Sequence, residues 1–78
     1  MIIRYFAAAA EAAGRSADEL QAATLGELTA ALKAEHGPVF ASVLGRCSLL
    51  LDGVNVSDPD TPLAGATHLD VLPPFAGG

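Results

Sequence analysis

Only one stretch of this 78-residue chain keeps helical periodicity long enough for a full helix, and any fold must cover the face that helix presents. Thr24-Leu25-Gly26-Glu27 spells a capping box, in which threonine and a glutamate three residues later satisfy otherwise free N–H groups at a helix start. Leu25, Leu28, Ala31 and Leu32 then recur at three- and four-residue spacing, Glu27, Lys33 and Glu35 fall largely on the other side, and Gly37-Pro38 ends the run. A chain of this length has room for one domain with one modest core, in which folding buries roughly 60% of the unfolded surface. The remaining segments must therefore supply the other wall of that core.

They read as short strands. Ile2 to Phe6 alternates, with Ile3 and Tyr5 on one face and Ile2, Arg4 and Phe6 on the other; a face holding both Arg4 and Phe6 is only half buried. Ala7 to Ala13 is helix-prone but short, and Gly14 stops it. Asp18 to Ala23 is a weaker strand signal, Leu20 and Ala22 alternating with Glu19 and Gln21, that would return antiparallel beside the first strand. Val39, Phe40, Val43 and Leu44 predict a short helical turn closed by Gly45, with Phe40 over one end of the core. Cys47 to Leu51 and Val54 to Val56 form a hairpin around Asp52-Gly53, a dipeptide suited to a tight turn. Asp58 to Pro62 is turn or loop because its two prolines exclude regular pairing, and Thr67 to Leu72 is the last strand. The order describes an α+β fold, a mixed sheet of about four to five strands wrapped around one main helix.

The chain closes on Pro73-Pro74-Phe75-Ala76-Gly77-Gly78. Neither proline can donate to a sheet ladder and each fixes its own φ, so the expected folded body is residues 1–72 and residues 73–78 form a flexible tail. Phe75 can anchor the base of that tail, while Ala76, Gly77 and Gly78 have almost no side chain to pack. A terminal Gly-Gly can thread a channel too narrow for any Cβ and offers an unhindered carboxylate. A frayed end is the competing reading, but frayed ends are usually polar and rarely fixed by Pro-Pro and an aromatic. The tail reads as a reagent.

Charge and composition bear on the partners. Nine acidic residues against four basic ones give a net charge of −5, which disfavours nucleic acid or an anionic membrane and favours a basic protein surface. The single cysteine, Cys47, cannot form an internal disulfide, so the cytoplasm is the expected compartment. Ile2 to Phe6 is too short, and interrupted by Arg4, for a signal-peptide apolar region or a membrane span of about 20 residues.

Three segments together resemble the ubiquitin-like sulfur carriers of the MoaD/ThiS type, most of all the small subunit of molybdopterin synthase: Arg4-Tyr5-Phe6-Ala7-Ala8-Ala9-Ala10-Glu11-Ala12-Ala13-Gly14, Leu49-Leu50-Leu51-Asp52-Gly53, and Leu69 through Gly78. The resemblance implies a β-grasp fold and a protein that is itself the carried substrate. The carboxylate of Gly78 would be adenylated by an E1-like enzyme (MoeB/ThiF type) that consumes ATP and Mg, and a sulfurtransferase or desulfurase would then supply sulfur to give a thiocarboxylate. The loaded tail would enter the active site of a larger synthase subunit (MoaE type), the two kinds of subunit forming a heterotetramer. Phe75, Ala76 and Gly77 would thread the channel, and Arg4, Phe6, Leu72, Pro73 and Pro74 would contact partners. The chain would bind no cofactor or metal of its own and use no catalytic side chain. Two departures from the family pattern, Ala10 before Glu11 where relatives carry arginine and Thr67-His68 in place of an acidic pair, bear on which partner is used. The same chemistry directed to thiamine, cysteine or another sulfur metabolite is the first alternative, and a ubiquitin-like modifier or non-covalent interaction module the second.

Other candidate chemistry is thin. Cys47 has only Arg46 beside it and reads as a structural thiol at the start of a strand. His36 sits at a helix C-terminus, where a protonated imidazole suits the dipole, and His68 opens a strand; neither has ligand spacing to another metal-binding residue. Gly45, Gly53 and Gly65 are isolated and make no phosphate loop.

Overall fold

Alternation in the first strand sets the sheet. In the computed structural model, which describes residues 1–74, β1 (Ile2–Tyr5) buries Ile3 and Tyr5 and turns Ile2 and Arg4 outward. It lies near the middle of a five-stranded mixed sheet ordered β2-β1-β5-β3-β4, where β2 is Ala17–Glu19, β3 Ser48–Leu51, β4 Val54–Val56 and β5 His68–Leu72. β1 and β5 run parallel, and every other neighbouring pair is antiparallel. β2 returns beside β1 as expected but stops at Glu19 instead of running to Ala23. Past Glu19, the bond that still ties this segment to its neighbour is Leu20 N–H to the Met1 carbonyl. The hairpin turn has positive φ at both central residues, 47° at Asp52 and 85° at Gly53, the twist that a two-residue connection requires.

Three helices complete the body: α1 (Ala8–Ala13), α2 (Leu25–His36) and α3 (Pro38–Leu44). Thr24 Oγ1 accepts the Glu27 N–H at 3.3 Å, the half of the capping box that forms. The neighbouring free donors are met from the proline-bearing loop, Leu25 N–H by the Thr61 carbonyl and Gly26 N–H by the Pro59 carbonyl at 2.8 Å. That approach needs a glycine, because a Cβ on residue 26 would stand 3.0 Å from Pro59 Cβ and 3.1 Å from its oxygen. Asp58 Oδ1 holds the loop in shape by accepting the Asp60 N–H. α2 packs through Leu25, Leu28 and Leu32, each worth about 1.5–3 kcal/mol when fully buried. Ala31 does not join them: the i, i+3, i+7 seam leaves it exposed on the side facing β2. Phe40 is fully buried within the core, in edge-to-face contact with Tyr5 at a ring separation of 5.5 Å. Gly45 closes α3 in ordinary right-handed backbone, its N–H bonded to the Ala41 carbonyl.

Beside Phe40 lies a polar cluster that the sequence did not announce. Asp18, on the inner face of β2, accepts hydrogen bonds on Oδ2 from Tyr5 Oη and His36 Nε2, both at 2.7 Å, and on Oδ1 from Arg15 at 2.9 Å. The His36 side chain is only 4% exposed, so the imidazole expected at the helix end to face the dipole is tucked against Tyr5 and Phe40 instead. Burial by itself pushes the Asp18 carboxyl up, but the hydrogen bonds from Tyr5 and His36 and the Arg15 charge together hold it below its ordinary value. Burial and the bond to Asp18 push the Tyr5 phenol up, so it stays a donor throughout the physiological range. A carboxyl with a lowered folded-state pKa contributes stability that is present above its unfolded value, about 3.9, and is lost as pH falls through the folded one. Asp18→Ala is therefore expected to cost about 1–3 kcal/mol for each buried donor it orphans at neutral pH. In urea melts the gap between parent and variant should narrow as pH falls below about 4; a gap that holds constant there would assign the cost to packing.

Candidate functional site at the end of the last strand

The strand register gathers the outward residues of β1 and β5 on one sheet face. Ile2 aligns with His68 and Arg4 with Asp70, and the alternation in β5 that buries Leu69 and Val71 turns His68, Asp70 and Leu72 to the same side as Arg4. Arg4 and Asp70 make a two-pronged ion pair, Nε to Oδ1 at 2.6 Å and Nη2 to Oδ2 at 2.9 Å, and the bond to Asp70 raises the guanidinium pKa further. The paired carboxylate fixes the arginine over the sheet while 47% of its side chain stays exposed. Leu50 of β3 lies beyond Asp70 in register, so apolar groups flank the pair.

Phe6 follows β1 and is 41% exposed, an unusual position for a phenylalanine with a core available beneath it. Its N–H bonds to the Val71 carbonyl, which continues the β1 to β5 pairing to the edge of the body. The chain then reverses sharply at Ala7, whose φ of 48° and ψ of −122° are rare for a residue with a Cβ. Phe6, Ala7, Ala8 and Glu11 form one wall of a groove, and Leu72, Pro73 and Pro74 form the other. The structure thus brings Phe6, Leu72, Pro73 and Pro74 together, with Arg4 a step away along the same face. Asp70 and Glu11 were not singled out from the sequence. The cross-strand position of Asp70, 66 residues from Arg4, leaves no local signal. Phe75, Ala76, Gly77 and Gly78, the threading residues and reacting terminus expected from the sequence, lie outside the described residues.

Cys47 is half-buried just before β3, and its thiol donates to the Val43 carbonyl at 3.2 Å. Burial pushes the thiol pKa up, with Arg46 opposing, so the reactive thiolate is disfavoured. Cys47→Ala is expected to cost about 1–2 kcal/mol in thermal or urea melts and to match the parent in a mass-spectrometric assay of the sulfur loading that the sequence resemblance implies. A loading defect in the folded variant would make the thiol a relay. Asp52, in the hairpin turn, accepts from Thr67 and from the His68 N–H, and the Thr67 bonds hold its carboxyl below the usual range; His68 Nδ1 lies 3.2 Å from the same carboxylate. Among the described residues no group of three or more His, Cys, Asp or Glu side chains could hold a metal ion, and no helix is long and apolar enough to cross a membrane.

A mixed sheet with a parallel β1–β5 pair, gripping one main helix and ending with β5, defines a ubiquitin-like β-grasp protein. The chain belongs to the ThiS family, the ubiquitin-like sulfur carriers, which its sequence matches over residues 3–78. Among solved structures it is similar to SAMP1 from Haloferax volcanii, with a TM-score of 0.82 and 26% identity over 99% of this chain and 97% of that one. It is also similar to a chain in the complex of subunits 1 and 2 of molybdopterin-converting factor from Helicobacter pylori 26695, with a TM-score of 0.73 and 27% identity over 99% and 96% of the two chains. No curated protein matches it by sequence.

Proposed function

We propose that this sulfur carrier serves molybdopterin synthesis as the small subunit of molybdopterin synthase, with the carboxylate of Gly78 as the reacting group. The observation that carries the reading is the near full-length likeness to a chain from the two-subunit molybdopterin-converting factor complex. In this reading an E1-like enzyme uses ATP and Mg to join AMP to the Gly78 carboxylate, releasing pyrophosphate. A carboxylate is a poor electrophile at neutral pH, and the acyl-adenylate supplies the leaving group it lacks. The persulfide of a sulfurtransferase or desulfurase attacks the acyl carbon and AMP departs; a thiol then cleaves the S–S bond of the resulting acyl disulfide, ending in a disulfide itself and leaving the thiocarboxylate, a soft nucleophile. Arg4, Phe6, Leu72, Pro73 and Pro74 seat the larger subunit, Phe75, Ala76 and Gly77 enter its channel, and two copies of each subunit make a heterotetramer.

The test is reconstitution. Chain incubated with the adenylating enzyme, ATP, Mg and a sulfur donor is expected to gain the mass difference between sulfur and oxygen at Gly78, and to lose it when a MoaE-type subunit and its pterin precursor are added. No gain removes the sulfur-loading reading, and a gain that only a thiazole-forming or cysteine-forming partner discharges moves the chain to another pathway. Isopeptide adducts on lysines of other proteins would make it a modifier.

A further inference from the structure

At the opposite end of β1 from the tail, the sheet has an open edge over a groove that sulfur transfer does not use. β2 is the outermost strand on that side. The bonds Tyr5 N–H to the Ser16 carbonyl and Leu20 N–H to the Met1 carbonyl fix the ladder, so that residues 16, 18 and 20 direct their backbone groups at β1. Ala17 and Glu19 therefore present N–H and C=O outward, both residues are exposed, and neither backbone has a partner on that side among the described residues. Alongside runs a groove between β2 and α2 lined by Leu20, Ala31, Leu32 and Ala34, with Glu19 and Glu35 on its rim. Asp18 also borders it, but its carboxylate is already engaged by Arg15, His36 and Tyr5. Glu19 and Glu35 have no ion-pair partner among the described residues. β2 is only three residues long and its Asp18 points inward, two of the ways a sheet edge is blunted, but no lysine or proline stands across Ala17–Glu19 to cover their outward backbone groups.

We propose that this edge binds an extended segment of a partner protein in which basic and aliphatic residues alternate, added as a sixth strand beside β2. The added strand would bond its backbone to Ala17 and Glu19. Its inward side chains would lie on Leu20, Ala31 and Ala34, and its outward lysines or arginines beside Glu19 and Glu35. Strand addition of this kind takes affinity from main-chain bonds and specificity from the pockets for alternate side chains. Charge selects the occupant: two copies of this chain meeting here would bring two acidic edges of a protein of net charge −5 together, whereas a basic segment neutralises them. Because β1 and β5 are parallel, the C-terminal end of β5 lies by Phe6 and the groove lies by the start of β1, so a segment held here leaves the tail groove open.

The probe is a capped hexapeptide of alternating lysine and valine, titrated into the isotope-labelled full chain and followed by amide NMR. Expected are saturable shifts at Ala17, Glu19 and the groove face of α2, slowed hydrogen exchange at the Ala17 and Glu19 amides, and no change around Phe6 and Leu72. E19K combined with E35K, both at exposed positions, should weaken binding about tenfold, as loss and reversal of two exposed ion pairs together imply. The same peptide N-methylated along one edge should not bind. Binding that persists after N-methylation would show attraction by charge without strand addition and would overturn the proposal, as would an unshifted β2. Shifts at these amides that depend on protein concentration without peptide would assign the edge to a second copy and overturn it equally.

Discussion

A chain lacking Gly78, or carrying one residue after it, is expected to melt like the parent and to transfer no sulfur. The two halves of that expectation have separate causes. Every buried residue of the described core falls between Ile3 and Val71, and β5 ends at Leu72, so a change six residues further on leaves that core intact. The proposed chemistry, by contrast, takes place at one carboxyl carbon. Shortening by a residue withdraws that carbon by up to about 3.3–3.6 Å, the span of one extended residue, and a misplacement of about 1 Å can already cost a hundredfold in rate. Adding a residue converts the carboxylate to an amide at residue 78 and places the new carboxylate as far beyond the reacting position. Loading is read by mass spectrometry and stability by thermal melts on the same samples. Transfer by a C-terminally extended, uncleaved protein would show that Gly78 is not the reacting group.

Local signals in the sequence carried much of this architecture and little of the polar wiring. The Thr24 cap, the Asp52-Gly53 turn and the Ile3/Tyr5 alternation act within four residues, and each forms the element it predicts. The length of β2, Ala17–Glu19, is set by its pairing with β1, which the alternation of Leu20 and Ala22 with Glu19 and Gln21 does not report. Ala31 was placed on the core face by periodicity alone; the helix buries a narrower leucine seam, and the residue left over lines the groove. Arg4 with Asp70, and Tyr5 with Asp18 and His36, join residues 13 to 66 positions apart, so their pairing follows from the sheet register and the seating of α2. The site divides the same way. Exposed Phe6 and the two prolines were legible as exceptions to burial and pairing, whereas Glu11 and Asp70 acquire their places only when β1, α1 and β5 are brought together.

Gly77→Ala and Leu28→Ala are expected to fail in opposite ways, and the comparison separates the tail's chemistry from the body's stability. Leu28 is fully buried on α2, so truncating it leaves a cavity beneath the sheet and should cost about 2–5 kcal/mol. A domain of this size has of order 0.05–0.15 kcal/mol of stability per residue, so that loss takes a large share of the total and lowers the melting temperature by many degrees. Whatever fraction of Leu28→Ala stays folded should still load sulfur, because the residue lies in the core and not at the proposed reacting end. Gly77→Ala should melt like the parent, being five residues beyond the last strand. Its added Cβ restricts φ and widens the segment by a methyl group where the carbonyl of Gly78 must come within about 3–3.5 Å of its attacker, so adenylation or discharge should slow by about a hundredfold. Both variants need only a thermal melt and a timed mass-spectrometric loading assay. Parental kinetics for Gly77→Ala would mean that no close-fitting channel surrounds residue 77, and the threading role of Phe75, Ala76 and Gly77 would fall with it.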